Sequence, residues 1–63
     1  MTLNRIQEVL EKSGKSQKWL AEEIGTTTVT VNKWCKNKSQ PPLKKLYLIS
    51  TLLDCSLVEL IVD

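Results

Sequence analysis

The side chains with the most chemistry to offer stand close together: Thr28, Val29, Asn32 and Lys33, with Lys36 and Lys38 just beyond. A hydroxyl, a branched apolar group, an amide and an ammonium at these spacings make and accept hydrogen bonds; they do not make or break covalent bonds. Lys33 could donate to guanine O6 and N7, Asn32 could bond adenine through both ends of its amide, and Val29 could touch a thymine methyl. No competing chemistry is present. The chain has no histidine and no pair of carboxylates against an apolar wall, and its two glycines, Gly14 and Gly25, are isolated. Acid–base catalysis and a phosphate-cradling loop therefore have nothing to build on, and no enzyme and no cofactor are expected. The two cysteines, Cys35 and Cys55, lack Cys-x-x-Cys spacing, which excludes a structural zinc site. They read as small buried apolar residues, and the absence of a signal peptide argues against a disulfide between them.

The elements that must hold these groups lie between Ser16 and Lys36. Trp19, Leu20, Ala21 and Ile24 recur at helical spacing, and Val31, Trp34 and Cys35 do the same. That gives a helix from about Gln17 to Ile24, capped by Ser16, and a second running to about Lys36, capped by Thr26 or Thr27. Gly25 falls where the chain needs a left-handed residue to turn. Ala21, one turn earlier, is small enough to let the second helix cross closely over the first. This is the arithmetic of a helix-turn-helix. The Thr and Val run from Thr26 to Val31 has strand propensity, but a strand there would have no partner in the chain. With Val31, Trp34 and Cys35 turned to the core, Thr28, Val29, Asn32, Lys33 and Lys36 point away, Thr28 at the flank.

Sixty-three residues make one domain, 1–63, small enough that its helices must pack well or dimerise. No apolar run approaches the ~18 residues of a membrane span and the start is too polar for a signal peptide, so cytoplasm is the expected compartment. The net charge is only +2, but from Ile24 through Leu53 there is no acidic residue, while Lys33, Lys36, Lys38, Lys44 and Lys45 all fall there. A one-sided basic zone suits a phosphate backbone. Lys44 and Lys45 sit in the first turn of a helix, where the dipole disfavours cations, which also suggests an anionic partner.

Three further helices are predicted. Helix 1 spans Leu3 to Lys12, with Leu3, Ile6, Val9 and Leu10 as its stripe, Thr2 as its cap and Gly14 as its stop. Asn37 tolerates the left-handed conformation that ends the third helix. Pro42 opens helix 4, in which Leu43, Leu46, Tyr47, Ile49, Ser50 and Leu53 follow the period and Leu48 and Leu52 widen it. It is the most hydrophobic segment and the expected central core helix. Ser56-Leu57-Val58-Glu59 is a capping box opening a short helix 5. Trp19 and Trp34 are expected on packed faces, not on a base-stacking platform.

The stretch resembles the helix-turn-helix of the phage-repressor, or Cro/C1-type, family. Gln17, Leu20, Ala21, Gly25, Thr27, Val31 and Trp34 carry the match, and it extends from about Arg5 to Leu60. The resemblance implies an all-α fold, a compact five-helix bundle of the lambda-repressor-like type, and sequence-specific binding of double-stranded DNA by a repressor-like transcriptional regulator. It also implies base reading by Thr28, Val29, Asn32 and Lys33. Gln17 and Thr27 would hold phosphates at helix starts, with Lys36, Lys38 and Lys44 along the backbone. A homodimer on palindromic half-sites ~34 Å apart is expected, with helix 5 and the adjoining face of helix 4 as its surface. An antitoxin of a toxin–antitoxin pair and a protein-interaction module without DNA binding are the alternatives. The chain departs from the family at Leu10 and Cys35, where many members carry Arg and Glu, and at Asn37, where Gly is usual. An apolar pair can replace a buried ion pair without loss of stability.

Overall fold

The computed structural model describes residues 2–62. It has four α-helices, α1 (Ile6–Ser13), α2 (Gln17–Ile24), α3 (Thr28–Cys35) and α4 (Leu43–Leu52), followed by a 3₁₀ turn at Leu57–Leu60. Among the described residues there is no strand, only an isolated antiparallel bridge between Asn4 and Ile61. No helix among them is long and apolar enough to cross a membrane.

The predicted fifth helix is therefore a correction: the segment is four residues of 3₁₀ structure. The Glu59 carboxylate does accept from the Ser56 backbone N–H, at 3.3 Å. After one turn, however, Ile61 is drawn into extended backbone beside Asn4, which ends the element.

The start of α1 also differs from expectation. The helix begins at Ile6 instead of Leu3, its cap position is Arg5 and not Thr2, and Leu3 is 45% exposed. Tertiary hydrogen bonds override the helical period here. The Asn37 side-chain oxygen accepts from the backbone N–H groups of Leu3 (2.8 Å) and Asn4 (2.9 Å), and the Arg5 N–H donates to the Leu60 carbonyl (2.9 Å). Those donors are the ones an earlier helix start would have turned elsewhere.

The other ends obey local chemistry. Gly14 and Gly25 close α1 and α2 at φ of 70° and 85°. The Ser16 and Thr27 hydroxyls cap α2 and α3, accepting from the backbone N–H groups of Trp19 and Thr30. Asn37 adopts φ of 59° just after α3.

The core is built from Ile6, Leu10, Leu20, Ala21, Ile24, Val31, Trp34, Ile49, Leu53 and Leu60. Within α4 the packed face is Leu46, Ile49 and Ser50, continued by Leu53, an i, i+3, i+4, i+7 stripe. Leu43 (70% exposed), Tyr47 (66%) and Leu48 (36%) lie off that face, against expectation. Lys44 and Thr51 mark the solvent side of α4, and Leu43, Tyr47 and Leu48 fall beside them because the helix carries more large apolar residues than the core has places for. Leu10 is buried and Cys35 packs against the same cluster, so an apolar core occupies the two positions where the family pair of charges is absent. Trp34 is buried and Trp19 is packed against the core but half-exposed, with the Lys15 ammonium 5.0 Å above its ring. Both cysteines are half-buried free thiols packed against the core.

Candidate nucleic-acid interface

The two helices at the centre of the site are locked by the turn between them. The N–H groups of Gly25 and Thr26 both donate to the Ala21 carbonyl at 2.9 Å, reversing the chain within two residues. Ala21 is buried, and a larger side chain there would push apart the helices packed around it. The Thr27 hydroxyl accepts from Thr30 N–H at 3.2 Å and lies 3.0 Å from the Thr30 hydroxyl, so its capping duty is filled within the chain.

At about 100° per residue, Thr28, Asn32, Lys36, Val29 and Lys33 fall on one arc of α3, and Val31, Trp34 and Cys35 on the opposite one. Thr28, Val29, Lys33 and Lys36 are exposed, and Val29 is 66% so. The core holds Val31 and Trp34. Beyond the helix, the N–H groups of Lys38 and Ser39 both turn back to the Lys33 carbonyl, at 2.9 and 3.4 Å, so the chain leaves α3 in a tight hook with Lys38 exposed. Lys44 is exposed in the first turn of α4 and Lys45 is half-buried.

Asn32 and Gln17 are not free groups facing outward. Both are half-buried, and the Asn32 amide donates to the Gln17 side-chain oxygen at 3.1 Å. Gln17 in turn donates to Gln7 (2.9 Å), and Gln7 donates to Glu11 (2.9 Å). Of the predicted residues the fold thus joins Gln17 to Asn32 directly. It leaves Thr28, Val29, Lys33, Lys36, Lys38 and Lys44 as separate exposed groups.

Two sets of residues escaped the sequence reading. One is the pair on α1, Gln7 and Glu11. The other is a cluster at the far end of α3. The Asn4 amide donates to the Trp34 carbonyl (2.9 Å) and to Gln40 (2.6 Å), and its oxygen accepts from Ile6 N–H (3.0 Å). Gln40 donates to the Asn37 oxygen (3.1 Å), and the Asn37 amide donates to the Asn4 carbonyl (3.3 Å). Asn37, with a left-handed backbone and no glycine, was the one signal available for it. Its side chain does work that glycine could not.

The two thiols titrate above their ordinary range. Burial pushes Cys35 from 9.0 up to about 11. Burial, then Glu59 and Asp54, raise Cys55. No group of His, Cys, Asp and Glu suited to a metal ion occurs among the described residues.

A helix-turn-helix family model matches residues 6–60 of the chain. The crystal structure of a "putative DNA-binding protein" from Bacteroides fragilis is similar to it with a TM-score of 0.95 and 42% sequence identity, over 98% of this chain and 100% of that one. No functionally curated protein matches the sequence.

Proposed function

The chain belongs to the Cro/C1-type helix-turn-helix family, and from that premise we propose that it is a sequence-specific double-stranded DNA-binding regulator of the repressor type. The whole chain, 1–63, serves as the DNA-binding domain, in the cytoplasm, and α3 enters the major groove. The observation that carries the reading is the outward arc of α3. Val29 is 66% exposed on it, beside exposed Thr28 and Lys33, on a helix whose other arc packs into the core through Val31 and Trp34. A large apolar residue held out between a hydroxyl and an ammonium suits contact with base edges. The acid-free stretch from Ile24 to Leu53 supplies the field that brings a phosphate backbone to that arc. The Bacteroides fragilis protein's description as DNA-binding agrees with this reading.

In this arrangement Lys33, Asn32, Val29 and Thr28 specify sequence. Gln17 and Thr27 at the helix starts, and Lys36, Lys38 and Lys44, hold phosphates. Exposed Tyr47 and Val58, 66% and 74% exposed, favour a homodimer joined through α4 and the 3₁₀ turn, two copies placing α3 in successive grooves.

Lys33→Ala should lose ~1–3 kcal/mol on a selected operator and far less on scrambled DNA. Lys38→Ala should weaken both alike and reduce the salt slope by roughly one. The measurement is affinity for both DNAs at several salt concentrations. Equal losses for Lys33→Ala on the two DNAs would remove it as a base reader. Absence of salt-dependent binding to any DNA would favour the protein-interaction module instead, and capture of a toxin together with DNA the antitoxin.

A further inference from the structure

We infer that Glu11, on α1 and outside the helix-turn-helix, sets which hydrogen-bonding groups Asn32 presents to a base. The inference rests on the DNA-reading function proposed above.

The relay runs Asn32 Nδ2 to Gln17 Oε1 (3.1 Å), Gln17 Nε2 to Gln7 Oε1 (2.9 Å), and Gln7 Nε2 to Glu11 Oε1 (2.9 Å), from α3 through α2 to α1. A primary amide can enter such a chain in either sense, because its oxygen accepts and its nitrogen donates. An ionised carboxylate can only accept. Glu11 therefore obliges Gln7 to donate with its nitrogen and to offer its oxygen to Gln17. Gln17 must then donate to Gln7 and offer its own oxygen to Asn32. Asn32 must spend one N–H inward, and it keeps its oxygen and its second N–H, neither of which has a side-chain partner among the described residues. One acceptor beside one donor is the pattern that pairs with adenine N6 and N7 in the major groove. Inverting the relay would turn the Asn32 oxygen inward and leave two N–H donors outward, a pattern suited to the acceptors of guanine.

Gln7 and Glu11 are thus positioning residues that act through Asn32 and Gln17. Glu11 is exposed and Gln7 only half-buried, so substituting them leaves the core intact. A merely structural tie between helices would alter stability without altering which base is preferred.

The test is selection of sites from randomised DNA by the full chain, with melting temperature followed in parallel. Asn32→Ala identifies the operator position that Asn32 faces, as the one whose preference collapses. Glu11→Lys puts a donor where only an acceptor stood. At that position, adenine preference over guanine should fall by about fivefold, the weight of one ordinary hydrogen bond, while the added charge raises affinity for all sequences. Gln7→Leu cuts the relay, and Glu11→Gln frees its direction; both should flatten the preference at that one position. Unchanged base preference in folded Glu11→Lys and Gln7→Leu overturns the inference, as does an Asn32→Ala protein that selects the wild-type site. A wild-type chain that enriches no DNA sequence overturns the DNA-reading function itself.

Discussion

Replacing Asn4 by Ala should cost this domain about a third or more of its stability. Asn4 is 5% exposed. Its amide donates to the Trp34 carbonyl at 2.9 Å and its oxygen accepts from Ile6 N–H at 3.0 Å, both within the buried interior. Alanine leaves that N–H unpaired away from water, at ~1–3 kcal/mol, and takes from that carbonyl one of its two donors, at ~0.5–1.5 kcal/mol, since the Asn37 N–H still reaches it at 3.0 Å. The third bond, to Gln40, adds little, because the Gln40 side chain is exposed and can turn to solvent. The sum is ~1.5–4.5 kcal/mol, against ~3–9 kcal/mol for the whole chain at ~0.05–0.15 kcal/mol per residue. At ~4–8 °C per kcal/mol for a domain of this size, the melting temperature should drop by about 15 °C. Urea unfolding followed by tryptophan fluorescence reads the loss as a lower midpoint with unchanged slope. Asn4→Asp sharpens the test. The new carboxyl can still accept from Ile6 N–H, but when ionised it turns an oxygen toward the Trp34 carbonyl and the Gln40 oxygen. Folding should therefore raise its pKa, so this variant recovers stability as the pH falls and loses it as the pH rises through the carboxylate range. An Asn4→Ala protein within about 0.5 kcal/mol of wild type would refute the reasoning.

Trp34→Ala should cost ~3–5 kcal/mol, because the ring is 6% exposed at the centre of the core; ready quenching of Trp34 fluorescence by iodide in a Trp19→Phe background would contradict that placement. Gly25→Val should destabilise by ~1–2 kcal/mol although the added atoms meet open space, since φ of 85° is strained for a β-branched residue; equal thermal stability of the two proteins would show the turn to be elsewhere. Cys35 keeps its proton up to about pH 11 in the fold and up to about 9 when unfolded. The unfolded chain therefore loses that proton first, and stability should fall as the pH rises through that window. Denaturation below pH 9 and near pH 11 should show a smaller alkaline loss in Cys35→Ala than in wild type.

The parts of the fold that were legible in the sequence are those decided within one turn of chain. Ser16, Thr27, Gly14 and Gly25 sit at the helix ends where their chemistry places them, and the core arc of α3 follows from its period. Leu3 shows the limit. Its spacing from Ile6 fits a helix, but its N–H is claimed by Asn37, thirty-four residues away. Ile61 was likewise drawn out of a helix by a bridge to Asn4. In α4 the apolar residues outnumber the places in the core, so Leu43 and Tyr47 could not be separated from Ile49 by type. The site divides in the same way. Exposure of Val29 and Lys33 follows from helical geometry, whereas nothing marks Gln7, Gln17 and Asn32 as neighbours, because amides ten and fifteen residues apart carry no periodic signature.

The bridge between the two end segments bears on how the molecule would respond to force. Val62 N–H donates to the Leu3 carbonyl at 3.0 Å and Arg5 N–H to the Leu60 carbonyl at 2.9 Å, in antiparallel sense. Tension applied at the two ends pulls across these bonds, so they open one after another like a zipper and do not share the load. The next contact in line is the amide cluster of Asn4, Asn37 and Gln40, and behind it the last turn of α3. Stretching should therefore strip the end of α3 of its anchor at low force, while the α2–α3 crossing and the core beneath it are still intact.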